Sequence, residues 1–342
     1  MVYCRGDVLI NGFVQDIPKD KHVCVLLSNK SPQEVAELTS LDLEKDWRSF
    51  RSGPIAWAVQ LYLQLKKMGF PVLASNRPMK GCPNIAHVAR INPVHFRPDH
   101  FLVAIMADRR PSGLAVKHVV QNKLQADDRH FFWMPHWPQP GLKVRNKERG
   151  SDLRVCAFAG REKHLQGDVR AWEQALAKIG IKFRVLGPKS WAQLQDIDCL
   201  VGIRTSNKAT SFPNKPPTKL INAWLAGIPF IGGTESAYCQ VGEPGKDYLG
   251  ADTMQEALYQ IEMLKNSPDL FNALVTRGNI KAEQFTHKAI TMLWADFIWN
   301  RIWRTFEQWK KQPGWMRTAR YLAAPGYRLF LYKKNARLKK SQ

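Results

Sequence analysis

The sequence has no cysteine pair at C-x-x-C spacing, no apolar run of about 18 residues, no basic leader followed by a sustained apolar stretch, and no evident internal repeat. These absences argue against a zinc or redox motif, a membrane-spanning helix, a secretory leader and a solenoid. Three of the six cysteines, Cys24, Cys156 and Cys199, lie inside apolar runs, where a thiol reads as a small buried hydrophobe in a reducing compartment. A cytoplasmic protein is expected. No G-x-G-x-x-G follows a strand, and Gly245-Lys246-Asp247 lacks the Ser or Thr of a phosphate-binding P-loop, so neither dinucleotide nor ATP binding is supported.

Acid is also scarce. Lys and Arg number 51 against 29 Asp and Glu, a net charge of +22, in a chain whose 44% hydrophobic and 23% charged residues are otherwise ordinary for a globular protein. Such a balance attracts phosphate, nucleic acid or an anionic membrane. From Arg301 to Gln342 twelve basic residues face one acid, Glu307, so half of the surplus sits in the last eighth of the 342 residues.

What is present is alternation. Short aliphatic runs at His22–Ser28, Phe70–Ser75, Phe101–Ala107, Arg154–Ala159, Lys182–Leu186, Leu200–Arg204 and Ile228–Gly232 read as buried strands. Helical spacing covers Pro54–Met68, Asp168–Ile179, Thr218–Ala226 and Met254–Leu264. Strand then helix then strand predicts parallel sheets with helices on their faces. A Pro-, Gly- and charge-rich stretch near 140–152 predicts a boundary, so we expect an α/β domain over 1–150 and a second over 151–285. An amphipathic helix is expected over 286–312, ended by Pro313-Gly314, and a basic aromatic tail over 313–342.

The most informative stretch is Asn214–Gly233, NKPPTKLINAWLAGIPFIGG. Pro216 and Pro217 cannot continue a helix, Thr218 can cap one, and Gly227 ends it. A helix N-terminus beside Lys219 offers unpaired N–H groups and a cation together, which suits a diphosphate, although an ordinary connecting helix has the same local features. Two other strand ends carry bases. RVCAFAGREKHL puts Arg161 and Lys163 after Gly160, and LVGIRTSNK puts Arg204 before Thr205, Ser206 and Lys208. Ligands of open α/β sheets collect at such strand ends.

The pattern P-P-T-K-L-I-N-A-W-L-A-G-I-P-F-I-G-G-T-E-S-A-Y resembles the donor-site helix of the GT-B glycosyltransferases, particularly bacterial families 1 and 4, and the resemblance runs over about 150–285. It implies an α/β chain of two Rossmann-like domains facing a cleft, acceptor on the first and nucleotide-sugar on the second. It also implies glycosyl transfer to a glycan or lipid-linked hydroxyl. Cations and a helix dipole would stabilise the nucleoside diphosphate without a metal or further cofactor. On that reading Gly160, Arg161, Lys163, Arg204, Thr218, Lys219 and Asn222 are the donor-binding candidates.

The chain departs from the pattern too. Retaining members carry two glutamates eight positions apart, where this chain has Asn214 and Asn222. Stereochemistry is therefore open, and a non-catalytic relative is the alternative. Glu235 and Glu243 share the spacing by chance, yet Glu235 directly follows a strand end and is a candidate to approach the sugar. An inverting transferase needs a base, for which Asp108 is the first candidate and His87, His95 and His100 are rivals. His136 and Trp137 read as packing residues. Asp196-Ile197-Asp198 precedes a strand instead of following one, so no metal site is expected. For the Trp-rich helix and the tail, peripheral contact with an anionic membrane is preferred to a nucleic-acid arm or a solvated end.

Overall fold

A computed structural model describes residues 17–18, 20–204 and 212–339, which leaves Thr205, Ser206 and Lys208 outside the described residues. The chain divides into two compact units. One joins the chain up to Met134 with the segment from His287 on; the other is Pro135–Thr286.

The first unit is built on six strands: β1 (Val23–Leu26), β2 (Val72–Ser75), β3 (Asn84–His87), β4 (Leu102–Ala107), β5 (Lys117–Val120) and β6 (Phe131–Trp133). All pair in parallel in the order β2-β1-β3-β4-β5-β6, with Val25 opposite both Ala74 and Ile85. β1, β3 and β4 are buried along their whole length, which is why β1 and β4 run apolar without alternation; β3 buries Asn84 and His87 at its two ends. Between β1 and β2 lie α1 (Pro32–Thr39), opened by a Ser31–Glu34 capping box, and α2 (Gln60–Lys67), entered through a π-helical turn at Ile55–Val59. The sheet reverses direction of growth between β1 and β3.

The second unit holds β7 (Val155–Ala159), α3 (Val169–Ala177), β8 (Lys182–Leu186), β9 (Cys199–Gly202), α4 (Thr218–Leu225), β10 (Phe230–Gly232), the short α5 (Ser236–Cys239), β11 (Leu249–Gly250), α6 (Met254–Asn266) and α7 (Pro268–Ala282). Its strands are parallel in the order β11-β10-β9-β7-β8, so growth reverses between β7 and β9. Trp172 of α3, fully buried, stacks on Phe183 of β8 at 5.2 Å, and this pair anchors one face of the core. Burying a side chain of that size contributes about 3 kcal/mol. Gly227 ends α4 at φ +68, the left-handed position a C-terminal glycine takes without strain.

The boundary expected near 150 falls earlier. Residues 135–150 strap onto the second unit: Lys143 N donates to Ala192 O at 2.8 Å, and Arg145 donates to the buried carboxylate of Asp198 through Nε and Nη2 at 3.1 and 2.8 Å. Trp137 is fully buried there, and His136 Nδ1 donates to its carbonyl. The proline-rich composition marks a strap whose one regular piece is a 3-10 turn at Lys147–Arg149.

The chain then returns to the first unit. α8 (His287–Asp296), a π-helical turn at Phe297–Ile302 and α9 (Trp303–Lys310) occupy the expected amphipathic helix. Its tryptophans bury in this unit's core: Trp294 meets the edge of Trp57, and Trp299 stacks on Phe70 at 5.0 Å. Trp303 and Trp309 are buried as well. This helix therefore cannot offer its tryptophans to a membrane. The basic tail forms two further helices, α10 (Gly314–Leu322) and α11 (Ala324–Leu338). Leu331 and Asn335 of α11 are buried, Asn335 Oδ1 accepts from Gln125 Nε2 at 3.1 Å, and Lys334 reaches Asp127 at 2.5 Å and His130 at 2.8 Å. Among the described residues no helix is long and apolar enough to cross a membrane.

Candidate functional site

In open parallel sheets a ligand crevice forms at the carboxyl ends of the strands flanking the reversal. In the second unit those strands are β7 and β9, and their ends carry Gly160 and Arg204. Lys219, second residue of α4, completes the group. A Cβ placed on Gly160 would stand 2.9 Å from the Phe158 ring and 3.4 Å from Lys219 Cε, so glycine lets the strand end approach the lysine stem. The Lys219 ammonium lies 5.3 Å over the Phe158 ring.

Arg204 Nη1 donates to Glu235 Oε1 at 2.6 Å, in a pair whose carboxylate side is nearly fully buried. Its guanidinium also lies over the rings of Phe212 and Tyr238, at 5.1 and 5.8 Å. Glu235 begins α5 without capping it, which leaves the carboxylate to the arginine. Burial raises Glu235 to about 7, against the lowering pull of Arg204 and Lys219. Burial lowers Lys219 to about 7, helped by Arg204 and Lys215 and opposed by Glu235. Arg204 thus holds the buried acid by direct contact, and Lys219 acts on both at longer range. Burial holds His164 below its ordinary range, and so do Lys163, Lys219, Lys215 and Arg204, which places these charges around one rim.

At the helix end, the first intrahelical bond runs from Ile221 N to Pro217 O at 3.1 Å, so the N–H groups of Thr218, Lys219 and Leu220 precede the ladder. Pro217, not Thr218, occupies the cap position; Thr218 is the first helical residue. The reason is local: a proline fixes its own φ and donates nothing, which suits the turn before the helix. Two cations and a helix start with unpaired amides are groups whose chemistry suits an anion.

Not every expected residue joins it. Arg161 and Lys163 are exposed, and while Lys163 acts on His164, the Arg161 side chain has no ionic or hydrogen-bonding partner among the described residues, and its carbonyl accepts from His164 N at 2.9 Å in the 3-10 turn at Glu162–His164. Asn222 Oδ1 accepts from Gln139 N at 3.3 Å, tying the strap to α4. Glu243 is exposed and pairs with Lys246, apart from Glu235. Both carboxylate oxygens of Asp198 are occupied by Arg145, Arg149 and the N–H groups of Arg154 and Val155. Phe158, Lys215 and Tyr238 were not expected; for Phe158 the available signal was an aromatic residue one pleat before a strand end that carries a base.

In the first unit, Asp108 is exposed just past β4, and its charge acts on His87 at the end of β3. His87 is buried, and burial, with Arg109, lowers it to about 4. Its Nδ1 accepts from Ala89 N at 3.1 Å, which assigns the ring proton to Nε2. In that tautomer Nε2 can donate but not accept, so His87 is no base. His100 lies before β4, at the opposite edge from Asp108, and His95 is half-buried beside Asn92. Ser28, at the end of β1, is fully buried with no hydrogen-bond partner for its hydroxyl.

No protein-family model matches the chain, and no curated protein matches its sequence. Solved structures are similar in chain course. HepE of Anabaena in complex with UDP is 12% identical over 82% of this chain and 100% of its own, with a TM-score of 0.49. AviGT4, a glycosyltransferase involved in avilamycin A biosynthesis, is 13% identical over 81% and 97%, also at 0.49. TarM is 10% identical over 70% and 58%, at 0.45. The function proposed below rests on this chain's own residues.

Proposed function

We propose that the protein transfers a sugar from a nucleotide-sugar donor to a hydroxyl of a glycan or lipid-linked acceptor. The observation that carries this reading is the Arg204–Glu235–Lys219 cluster at the sheet reversal, beside the open first turn of α4. As the bond between anomeric carbon and phosphate oxygen breaks, negative charge grows on the diphosphate. Cations already held in a partly dry site stabilise that charge without reorganising. Lys219 and the α4 amides face the diphosphate; Arg204 adds a second cation, positioned by Glu235. Glu235, engaged by Arg204, is thus a positioning residue rather than a group on the sugar. Thr218 supplies a hydroxyl and an amide, and Lys163 rim charge.

Asp108 is assigned the acceptor proton, since it is a carboxylate at an exposed strand end. The donor enters as a substrate, and no further cofactor is invoked. A reducing cytoplasmic setting accords with Cys156 and Cys199, which stand opposite each other on neighbouring strands as free thiols. An anionic membrane surface is the proposed partner of the C-terminal helices.

The test is release of free nucleoside diphosphate from a panel of UDP-, GDP-, dTDP- and CMP-sugars. Release that depends on the donor and is lost in Lys219→Ala and Arg204→Ala supports the reading. No release and no donor-induced thermal shift with any member leaves the non-catalytic alternative, which the asparagines at 214 and 222 permit.

A further inference from the structure

α10 is turned inside out. Its charged and hydroxyl-bearing residues Arg320 and Tyr321 face the protein: Arg320 Nη2 donates to Ala115 O at 2.7 Å, and Tyr321 Oη donates to Phe96 O at 3.2 Å. Arg317, half-buried, lies 5.1 Å over the Trp309 ring. The opposite face, at spacings of one, four and seven, presents Trp315, Met316, Ala319 and Leu322 to solvent, with Trp315 72% and Leu322 71% exposed. No residue of this helix is buried. A surface helix ordinarily does the reverse, since apolar side chains gain about 25 cal/mol per Å² by leaving water.

The exposed apolar residues continue in α11 with Leu329 and Phe330. Along the same stretch Lys310, Lys311, Arg328, Lys333 and Arg337 are exposed, while its one acid, Glu307, is paired with Lys310 at 2.8 Å. Exposed apolar residues with a tryptophan, in a stretch whose cations far outnumber its one acid, match the interface of an anionic bilayer: apolar tails beside phosphate headgroups. A second copy of this chain would set the same cations against one another. A nucleic acid would leave Leu322, Met316 and Leu329 without an apolar partner.

We infer that α10 lies flat on an anionic lipid bilayer, inserting Trp315, Met316 and Leu322, with the cations of α9 and α11 on the headgroups. This goes beyond the transferase reading and does not depend on it. It also moves the membrane contact from the 286–312 helix, whose tryptophans are buried, to the face of the chain that follows.

The experiment is co-sedimentation of the full chain with phosphatidylcholine vesicles, with and without phosphatidylglycerol, at low and high salt. The full chain is expected to sediment with the anionic vesicles at low salt and to be released at high salt. The doubly substituted Trp315→Ser/Leu322→Ser chain, unchanged in net charge and altered only at exposed positions, is expected to bind about tenfold more weakly. Its nucleoside diphosphate release in the absence of vesicles is expected to stay unchanged, which separates this inference from the proposed activity. Three results overturn it: no binding of the full chain to anionic vesicles, equal binding by the serine variant, or self-association that the same substitutions abolish without any vesicle binding. Oligonucleotide binding unaffected by the serines, in a chain that ignores vesicles, overturns it in favour of a nucleic-acid face.

Discussion

The two sheets share a pattern of growth, reversing between β1 and β3 in one unit and between β7 and β9 in the other, yet they treat charge differently at that place. At the first reversal the buried groups are neutral: Ser28, and His87 held near pKa 4, with Asp108 and Arg109 left in solvent. At the second, the charges themselves are drawn in, as Lys219, Arg204 and Glu235. Of the three, Glu235 is the buried group, and the two cations are half-buried beside it. The same topology thus carries neutral buried groups at one reversal and a charged cluster at the other.

The largest effect is expected at Lys219, half-buried in that cluster. Lys219→Ala should lower donor-dependent nucleoside diphosphate release by about 10²–10³-fold, the usual range for removing one preorganised group that meets growing negative charge. Its melting temperature should not fall, because the substitution relieves a desolvated cation and breaks no ion pair to Lys219 itself. Loss of activity together with a large loss of stability would make Lys219 a structural residue and erase the contrast between the sheets.

Acid should separate the units next. His87 and the fully buried His118, both in the first unit, have folded pKa values lowered by burial to about 4 and about 3. A depressed histidine contributes stability that is fully present above its unfolded value of about 6.5 and is lost as pH falls toward the folded value. For His87 this amounts to about 3 kcal/mol. His287, lowered to about 4 mainly by burial, acts in the same sense. Glu235 has the opposite sign: its folded pKa is raised, so its contribution is present below about 4.5 and is lost as pH rises through about 7. In the second unit burial lowers His136 and His164, against His87, His118 and His287 with His95, His100 and His130 in the first, so amide exchange between pH 7 and 4 should show the first sheet losing protection before the second. Equal loss in both would refute the assignment of burial to these rings.

The pH dependence of donor affinity sharpens the same comparison. Above about 7, Lys219 loses its proton while Glu235 loses one and neutralises Arg204. The site becomes less positive on both counts. A nucleoside diphosphate should bind best below neutrality and weaken about tenfold per pH unit once one proton must be taken up with it. Calorimetry in buffers of differing ionisation enthalpy would detect that uptake, and a flat profile between pH 6 and 9 would remove both groups from the site.

Much of this was legible in the chain, and the failures share a cause. Arg204 and Lys219 could be placed because an apolar strand end and a proline-bounded helix start fix backbone position from local sequence alone. Arg161 stands after an equally clear strand, but whether a side chain turns toward a neighbour or into solvent depends on the 3-10 turn that follows, which no periodicity announces. The short strands at Asn84–His87 and Phe131–Trp133 escaped because each is too brief for a pattern to register. In the C-terminal region, composition identified a tryptophan-rich amphipathic helix but not its partner. Trp294 and Trp315 look alike in sequence, and only the packing of one against Trp57 distinguishes core from surface.

The smallest effect discriminates between two roles for one residue. Asn222 occupies the position where the resembling enzymes carry a carboxylate at the donor, yet here its Oδ1 accepts from the backbone of Gln139. That bond fastens the 135–150 strap to α4, close to the lysine but serving the fold. Removing a single hydrogen bond of this kind costs about 1 kcal/mol. For a unit of this size that corresponds to a drop of about 2–4 °C in melting temperature. Asn222→Ala should show that drop while kcat and the donor KM stay within about twofold, since the cation cluster is untouched. A tenfold rise in donor KM with unchanged melting temperature would instead put the Asn222 amide on the donor, and would mean that the strap is held by its other bonds, chiefly the Arg145–Asp198 pair.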